Sequence, residues 1–483
     1  MLLVALNTVA YFVLSYECFR CLQGATYRVE RGYFRLLLSP YFVFLLAVQG
    51  AALAVRFCAL PDWLYCVLYA VPAAVFAAVP RKSPLKFTKR ILRMAAVHLA
   101  LCFTLCYFHA EVFVIAALPF VSLVSYAVCL PVDLLIARLY LKKAVNKLNE
   151  SGVTVVAVTG SYGKTTVKDM LSSLLDDSVS PAGSCNTPLG IASFINRTDL
   201  YYAKYLVLEF GARKRGDIAE LCRLFKPKYG IITGVCPQHL STFKSWDNVV
   251  AAKRELAECL PANGVCVLNA KDDTALSYAD TGVCRYVRSD ELCKVDLQAV
   301  DVDGATLSVT VGKTTKSVAL PQISAHVSDT FAMCLTMCLV LKQSFTRTLS
   351  RVQDVKQCPH RMQISKAANC YIIDDGYNAS LAGVKSAANT LVNFNQFKTV
   401  ITQGIVECGG KRKQYNVECG RILGSVCDVA VVLGANRKYL AEGLRQTSCK
   451  VLFAKSLKQA VALAQPYLNG ENSLLLFQND LPD

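Results

Sequence analysis

The sequence lacks several patterns that would assign it to common protein classes. It has no array of arginines interleaved with aromatic residues that could bind nucleic-acid bases, so we expect no nucleic-acid partner. Cys18 and Cys21 have no matching second pair, and the 22 cysteines are scattered, which argues against both a zinc site and a disulfide framework. No internal repeat or low-complexity segment is present. We therefore expect reduced cysteines that serve mainly in packing.

Acidic residues are scarce at the start of the chain. Residues 1–150 contain 6 Asp and Glu against 15 Lys and Arg, and the basic residues lie between hydrophobic runs, which indicates membrane topology. The first run lacks a basic start and a clear small-residue cleavage site, so we expect an anchor; a cleaved signal peptide is the alternative. We predict about five membrane spans, near residues 2–16, 36–55, 63–79, 94–108 and 112–136.

The connections between these runs alternate in charge. Lys and Arg concentrate in residues 20–35 and 81–93 and after residue 138, whereas the connections near Pro61 and His109 have almost none. The positive-inside rule then places the N-terminus outside and residues from 138 onward in the cytosol. We expect a multi-pass plasma-membrane protein. Its basic loops either attract a phosphorylated lipid headgroup or only set the topology.

A phosphate-binding loop is predicted after the hydrophobic part. A β-branched run at 155–158 ends in Thr-Gly-Ser-Tyr-Gly-Lys-Thr-Thr, and a helical pattern follows from 167 to 175. Backbone N–H groups at a helix start favour phosphate, a lysine adds a cation, and a threonine hydroxyl suits Mg²⁺. Only two residues separate the glycines, unlike in the ordinary P-loop. The candidate nucleotide-binding residues are Gly160, Ser161, Tyr162, Gly163, Lys164, Thr165 and Thr166.

Beyond the loop, strands alternate with helices, which predicts an α/β fold. Strands are expected at 205–212, 229–233 and 264–269, and a helix at 246–260 carries Lys253. Glu209 and His239 lie at or just beyond the ends of two strands, as Thr165 follows the first. Ligands bind at the carboxyl edge of such sheets, so these three side chains are site candidates. Further strands are expected at 370–374, 399–403, 428–433, 450–453 and 473–477.

Several motifs, in this order, resemble the Mur ligase family. Besides the phosphate loop they are Glu-Phe-Gly-Ala-x-x-x-Gly-Asp-Ile-Ala from 209, Lys-Pro-Lys-Tyr-Gly-Ile-Ile-Thr-Gly-Val from 226, Val-Leu-Asn-Ala-Lys-Asp-Asp from 267, His-Arg-Met from 360 and Asp-Asp-Gly-Tyr-Asn-Ala from 374. They are most similar to the MurF branch, which adds D-alanyl-D-alanine to a UDP-muramoyl-tripeptide. We therefore expect an α-helical membrane region (1–147), a Mur ligase central P-loop domain (148–358) and a Rossmann-like C-terminal domain (359–483).

The resemblance implies an ATP- and Mg²⁺-dependent carboxylate–amine ligase of peptidoglycan precursor synthesis that works through an acyl phosphate. Catalysis would involve Lys164, His239, Lys253 and Arg361, and the metal ligands would be Thr165, Glu209, His239 and Lys253, the lysine as a carbamate. Asn269, Arg361, Asp375 and Tyr377 would contact the nucleotide. Lys253 as an ordinary solvated helix lysine remains the alternative.

The chain also departs from the family. Gly234 stands where the family usually has Asn, and a family His-Asn-x-x-Asn helix near the adenine reads His326-Val327-Ser328-Asp329-Thr330, so the purine contacts must differ. A membrane region stands in place of the domain that grips UDP. The expected partners are an amino-acid or dipeptide amine and a carboxylate acceptor, either a UDP-muramoyl-peptide or a lipid-linked analogue. Two alternatives stay open: a poly-γ-glutamate-type synthase, and a non-catalytic membrane protein that senses ATP.

Overall fold

The structure, a computed structural model, describes residues 2–24, 27, 33–58, 61, 63–78, 85–107, 111–237, 240–377, 380–406 and 409–478. The chain divides into two compact units, residues 1–139 and 140–483. The domain boundaries expected at 147 and 358 remain predictions.

The N-terminal unit is built from helices. Hydrophobic runs without strand-like alternation produce α1 (Leu2–Leu14), α2 (Tyr16–Gly24), α3 (Pro40–Phe57), α4 (Trp63–Ala78), α5 (Lys89–Tyr107) and α6 (Glu111–Ser151), the last of which continues into the second unit. Each of the five expected spans overlaps one of the helices α1, α3, α4, α5 and α6 within the described residues. Tyr11, Leu45 and Cys102 are among the side chains fully buried between these helices.

The expectation of five membrane spans is not supported. Within the described residues, one helical segment, Ile115–Ser151, is both long and apolar enough to cross a bilayer. Helix α1 has 13 residues and α4 has 16, fewer than the roughly 20 that a hydrocarbon core requires. Helix α5 has 19 residues, but it begins with Lys89 and Arg90 and contains Arg93.

The central sheet is parallel, in the order β2-β3-β1-β4-β5-β6. Its strands are β1 (Thr154–Thr159), β2 (Ser178–Val179), β3 (Tyr205–Glu209), β4 (Tyr229–Ile232), β5 (Val265–Leu268) and β6 (Arg285–Arg288). Residues 155–159 and 205–209 are buried, as expected for apolar strands covered on both faces. The carboxyl ends of β1, β3, β4 and β5 therefore meet at one edge.

Helices and a small second sheet surround this sheet. The helices are α7 (Lys164–Leu174), α8 (Pro188–Arg197), α9 (Asp217–Phe225), α10 (Leu240–Phe243), α11 (Trp246–Cys259), α12 (Asp273–Leu276), α13 (Val327–Val340) and α14 (Phe345–Ser350). The second sheet is antiparallel and consists of β7 (Lys294–Asp301), β8 (Gly304–Val311) and β9 (Thr314–Leu320). This sheet was not predicted from the sequence.

A mixed six-stranded sheet follows, in the order β10-β11-β15-β12-β13-β14. Its elements are β10 (Gln363–Ala367), β11 (Cys370–Asp375), α15 (Leu381–Leu391), β12 (Phe397–Thr402), α16 (Arg412–Gly424), β13 (Val429–Val432), α17 (Arg437–Leu444), β14 (Lys450–Phe453), α18 (Leu457–Ala464) and β15 (Ser473–Gln478). Only β10 runs antiparallel to its neighbour, and the other strands are parallel, as in a Rossmann-like sheet. One buried apolar cluster includes Val156 of β1, Phe331 of α13 and Leu476 of β15, so this sheet and the central sheet share a continuous core.

Candidate active site

The phosphate loop joins β1 to α7. Gly163 precedes the helix with a φ of 72°, a left-handed conformation that glycine adopts without strain. Gly160 has a φ of 149°, and a Cβ there would lie 2.1 Å from Thr233 Oγ1. Both glycines are therefore required by the loop's conformation. The loop leaves the first N–H groups of α7 pointing toward the edge of the sheet.

Lys164 is the first residue of α7, and its side chain folds back over the loop. Its Nζ donates hydrogen bonds to Gly160 O at 2.9 Å and to Ser161 O at 3.3 Å. Burial lowers the pKa of Lys164, an effect that the carboxylate of Glu209 opposes. The ammonium group is therefore held beside the helix start where phosphate is expected to bind.

Glu209, the last residue of β3, is 1% exposed and faces the loop. Its Oε2 accepts a hydrogen bond of 2.6 Å from Thr165 Oγ1, and its Oε1 accepts one of 3.0 Å from Asn186 Nδ2. Ser184 Oγ lies 3.2 Å from the same threonine hydroxyl. Neither Ser184 nor Asn186 was predicted as a site residue from the sequence. Both are polar residues in the segment that follows β2, a position at the ligand edge that could have indicated them.

The oxygen atoms in this cluster fit Mg²⁺. That ion binds through one or two carboxylates together with hydroxyl, water and phosphate oxygens, and Thr165 and Glu209 supply a hydroxyl and a carboxylate 2.6 Å apart. No group of three or more His, Cys, Asp and Glu side chains suited to a metal occurs among the described residues. His239, another predicted ligand, lies outside the described residues.

Lys253 lies on α11 and is 4% exposed. Its pKa is lowered to about 7, mainly by burial and also by the nearby Lys164 charge, while Glu209 acts in the opposite direction. The solvated helix lysine considered above is therefore wrong for this position. A buried amine that is partly neutral at physiological pH can react with CO₂, whereas a protonated one cannot.

Arg361 reaches this cluster from the segment just before β10 of the mixed sheet. Its Nη2 lies 3.2 Å from Thr165 Oγ1 and 3.4 Å from Ser184 Oγ. Its guanidinium carbon is 4.4 Å from the centre of the Tyr377 ring, within range of a cation–π interaction. The structure thus brings together a lysine, an arginine, a hydroxyl and a carboxylate around the start of α7.

The backbone around Arg361 is strained. Neighbouring His360 and Met362 have φ values of 58° and 50°, in the left-handed region that non-glycine residues rarely adopt. His360 Nδ1 lies 2.7 Å from Asp374 Oδ2, and Met362 N–H donates to Asp375 Oδ1 at 3.2 Å. Asp374 and Asp375 together hold this backbone in place.

The contacts of Asp375 differ from the predicted nucleotide contact. Besides Met362 N–H, it accepts a hydrogen bond of 2.7 Å from Gln478 Nε2 through Oδ2. Burial raises its pKa, and these hydrogen bonds and Arg361 oppose that shift. Both carboxylate oxygens are therefore engaged within the chain, and a nucleotide contact by Asp375 remains a prediction.

Asn269 is 3% exposed and also bonds the backbone. Its Nδ2 donates to Thr233 O at 2.7 Å, and its Oδ1 accepts from Lys271 N–H at 3.0 Å. It therefore joins the turns after β4 and β5. Its contact with a nucleotide is a prediction, as is that of Thr166 in the first turn of α7. Asn378 and Ala379, from the last quoted motif, lie outside the described residues.

Comparison with known proteins supports the resemblance. Residues 158–327 match the Mur ligase middle domain. A UDP-N-acetylmuramoyl-tripeptide--D-alanyl-D-alanine ligase from Escherichia coli K12 is 27% identical over 281 residues, which cover 55% of this chain and 61% of that ligase. Over these residues the chain is similar to ligases of the Mur family. It spans less than two thirds of the length of this relative.

Solved structures of this family share the fold. MurF from Acinetobacter baumannii aligns with a TM-score of 0.64 and 21% identity, and the match covers 71% of this chain and 78% of that protein. MurF ligase from Thermotoga maritima, in complex with ADP, aligns with a TM-score of 0.62 and 22% identity over 71% of this chain and 80% of that protein. The Mur ligase fold predicted for the part after the N-terminal helices is thus confirmed.

Proposed function

We propose that this protein is an ATP-dependent carboxylate–amine ligase of the MurF type that acts in peptidoglycan precursor synthesis. The observation that carries the proposal is the convergence of Lys164, Thr165, Glu209 and Arg361, with Arg361 Nη2 3.2 Å from Thr165 Oγ1. The related E. coli protein is named as a ligase that joins a UDP-N-acetylmuramoyl-tripeptide to D-alanyl-D-alanine. The structurally similar Thermotoga protein was solved with ADP.

The chemistry follows from the charges of these groups. The acceptor carboxylate attacks the γ-phosphorus of ATP, which forms an acyl phosphate and releases ADP. Lys164 and Arg361 stabilise the negative charge on the transferred phosphoryl group, and the N–H groups of the loop orient the other phosphates. Mg²⁺ bound to the oxygens of Thr165 and Glu209 would add positive charge at the same phosphates. An amine then attacks the acyl carbon, loses a proton and displaces phosphate, which leaves an amide.

The buried amine of Lys253 suits a second role. Reaction of the neutral amine with CO₂ yields a carbamate and a proton, and replaces a cation with an anionic oxygen donor of the kind that Mg²⁺ prefers. A pKa of about 7 leaves a substantial neutral fraction at physiological pH. We include the carbamate of Lys253, together with His239, in the proposed site.

We further propose that the N-terminal unit attaches the ligase to the plasma membrane through α6, with the ligase part in the cytosol. Large apolar side chains are exposed at a helical spacing on α6: Phe120, Val124, Val128, Val132, Leu135 and Leu139. At 1.5 Å per residue this stripe is about 29 Å long, close to the thickness of a bilayer's hydrocarbon core. The acceptor is then either a UDP-muramoyl-peptide or a lipid-linked analogue presented at the membrane.

The test uses purified full-length protein in detergent. It is incubated with ATP, Mg²⁺, D-alanyl-D-alanine and UDP-muramoyl-tripeptide, or a lipid-linked equivalent, while phosphate release is followed and the product mass is measured. We expect phosphate release that requires both acceptor and amine, and a product heavier than the acceptor by one dipeptide less one water. ATP binding without turnover on either acceptor would favour the ATP sensor. Turnover with a glutamate donor alone would favour the poly-γ-glutamate-type synthase.

A further inference from the structure

The order of the strands determines which residues and turns flank the phosphate loop. Because β1 lies between β3 and β4, Glu209 stands on one side of the loop, and the turns after β4 and β5 stand on the other. Gly234 follows β4, and Asp272 lies in the turn after β5. The side of Glu209 also receives Arg361, through Thr165 and Ser184.

This arrangement gives a direction to any bound nucleoside triphosphate. Its reacting phosphate must lie near the groups that stabilise phosphoryl transfer, which are on the Glu209 side. The remaining phosphates then follow the loop, and the nucleoside extends away from Glu209, toward the turns after β4 and β5. A side chain that contacts the base should therefore lie beside Gly234 and Asp272.

Tyr162 occupies this position. It belongs to the phosphate loop, and its side chain extends over the turn after β4, where its hydroxyl donates a 3.2 Å hydrogen bond to Asp272 Oδ2. Asp272 is itself fixed, because it accepts hydrogen bonds from Val235 N–H at 2.9 Å and from Ala275 N–H at 2.8 Å. The Tyr162 side chain is 36% exposed, so part of it remains accessible to a ligand.

Gly234 makes room for this tyrosine. A Cβ at position 234 would lie 2.2 Å from Tyr162 Oη and 2.4 Å from its Cζ, so any other residue would displace the phenol. The glycine that departs from the family pattern and the tyrosine in the loop therefore form a matched pair. The pairing places an aromatic ring, anchored at its hydroxyl, beside the path of the nucleoside.

We propose that Tyr162 is the base-contacting residue of the nucleotide site and that its ring stacks on the nucleobase. This inference rests on the proposed function, since it takes the loop as the site of a nucleoside triphosphate. Stacking on an aromatic side chain stabilises a bound base by about 1–3 kcal/mol in proteins that bind single-stranded nucleic acids, which is roughly 5- to 150-fold in affinity. Tyr162 thus adds affinity for the base that the phosphate contacts do not provide.

The test compares a ligand that has a base with one that lacks it. Dissociation constants of ATP and of inorganic tripolyphosphate are measured by calorimetry with the full-length protein in detergent, for the wild type, Tyr162→Ala and Tyr162→Phe. Tyr201→Ala is the control, because Tyr201 is an 81% exposed tyrosine remote from the loop in sequence. Thermal unfolding of each variant shows whether it is folded, and the exposure of Tyr162 makes alanine tolerable there.

We expect Tyr162→Ala to weaken ATP binding at least fivefold and to leave the affinity for tripolyphosphate unchanged. Tyr201→Ala should change neither affinity. If Tyr162→Phe also loses ATP affinity, the hydrogen bond to Asp272 orients the ring. If Tyr162→Phe keeps the ATP affinity of the wild type, the ring alone is enough. Either result for Tyr162→Phe supports the proposal. An unchanged ratio of the two constants in Tyr162→Ala overturns it, and so does tighter ATP binding, which would make the ring an obstruction. If the wild type binds neither ligand, the proposed function itself fails.

Discussion

Arg361 Nη2 lies 3.2 Å from Thr165 Oγ1, although 196 positions separate the two residues in the chain. Thr165 in turn donates a hydrogen bond to Glu209. This contact joins the segment just before β10 of the mixed sheet to the phosphate loop. The two parts are therefore already arranged around the place where the γ-phosphate is expected.

Replacement of Lys164 by alanine should reduce acceptor-dependent phosphate release by about 100-fold or more, because the lysine stabilises charge that develops in phosphoryl transfer. The measurement is steady-state phosphate release by the full-length protein, with thermal unfolding to establish that the variant is folded. Lys316→Ala is the matched control, since Lys316 is exposed on β9. Near-normal turnover of Lys164→Ala would remove this lysine from the site.

Replacement of Lys253 by alanine should abolish turnover, and added formate or acetate should restore part of it by supplying the lost carboxylate. The physical reason is that only the carbamate, and not the amine, can donate an anionic oxygen to Mg²⁺. Arg254→Ala, a change at an exposed position of the same helix, should keep its activity. Full activity of Lys253→Ala without added carboxylate would refute the carbamate.

The same buried amine should make stability depend on pH in the protein without metal and CO₂. The folded pKa is about 7 against 10.5 for an unperturbed lysine, so the folded state disfavours the proton. The loss of folding stability caused by Lys253 is therefore complete below pH 7, and it disappears as the pH rises toward 10.5. Lys253→Met should therefore raise the melting temperature more at pH 6 than at pH 9.5. An equal increase at both values would contradict the low pKa.

Asp375→Ala should lower kcat with a smaller effect on the KM for ATP, because its carboxylate holds Met362 N–H and thereby the strained backbone on which Arg361 sits. Asp375→Asn, which keeps an acceptor oxygen, should recover much of the rate. The double variant Asp375→Ala with Arg361→Ala should be no slower than Arg361→Ala alone, since both changes remove the same interaction. Additive losses would instead indicate a separate contact of Asp375 with the nucleotide.

The sequence by itself determined the local elements and the types of chemistry. The strand at 450–453 has the predicted limits, and the helix predicted at 246–260 spans Trp246–Cys259, because β-branched runs, apolar spacing and the residues at their ends are local signals. The phosphate loop was predicted for the same reason. Its glycines, lysine and threonines lie within seven consecutive residues, so the pattern is visible without the tertiary fold.

Only the tertiary structure decided what comes together across the chain. The order β2-β3-β1 placed Ser184 and Asn186 beside Thr165 and Glu209, and no local pattern specifies which strands become neighbours. Burial then turned Lys253 from an ordinary helix lysine into an amine with a pKa of about 7. Burial and proximity arise when distant segments pack, so their effects on charge and on partners are absent from the sequence pattern.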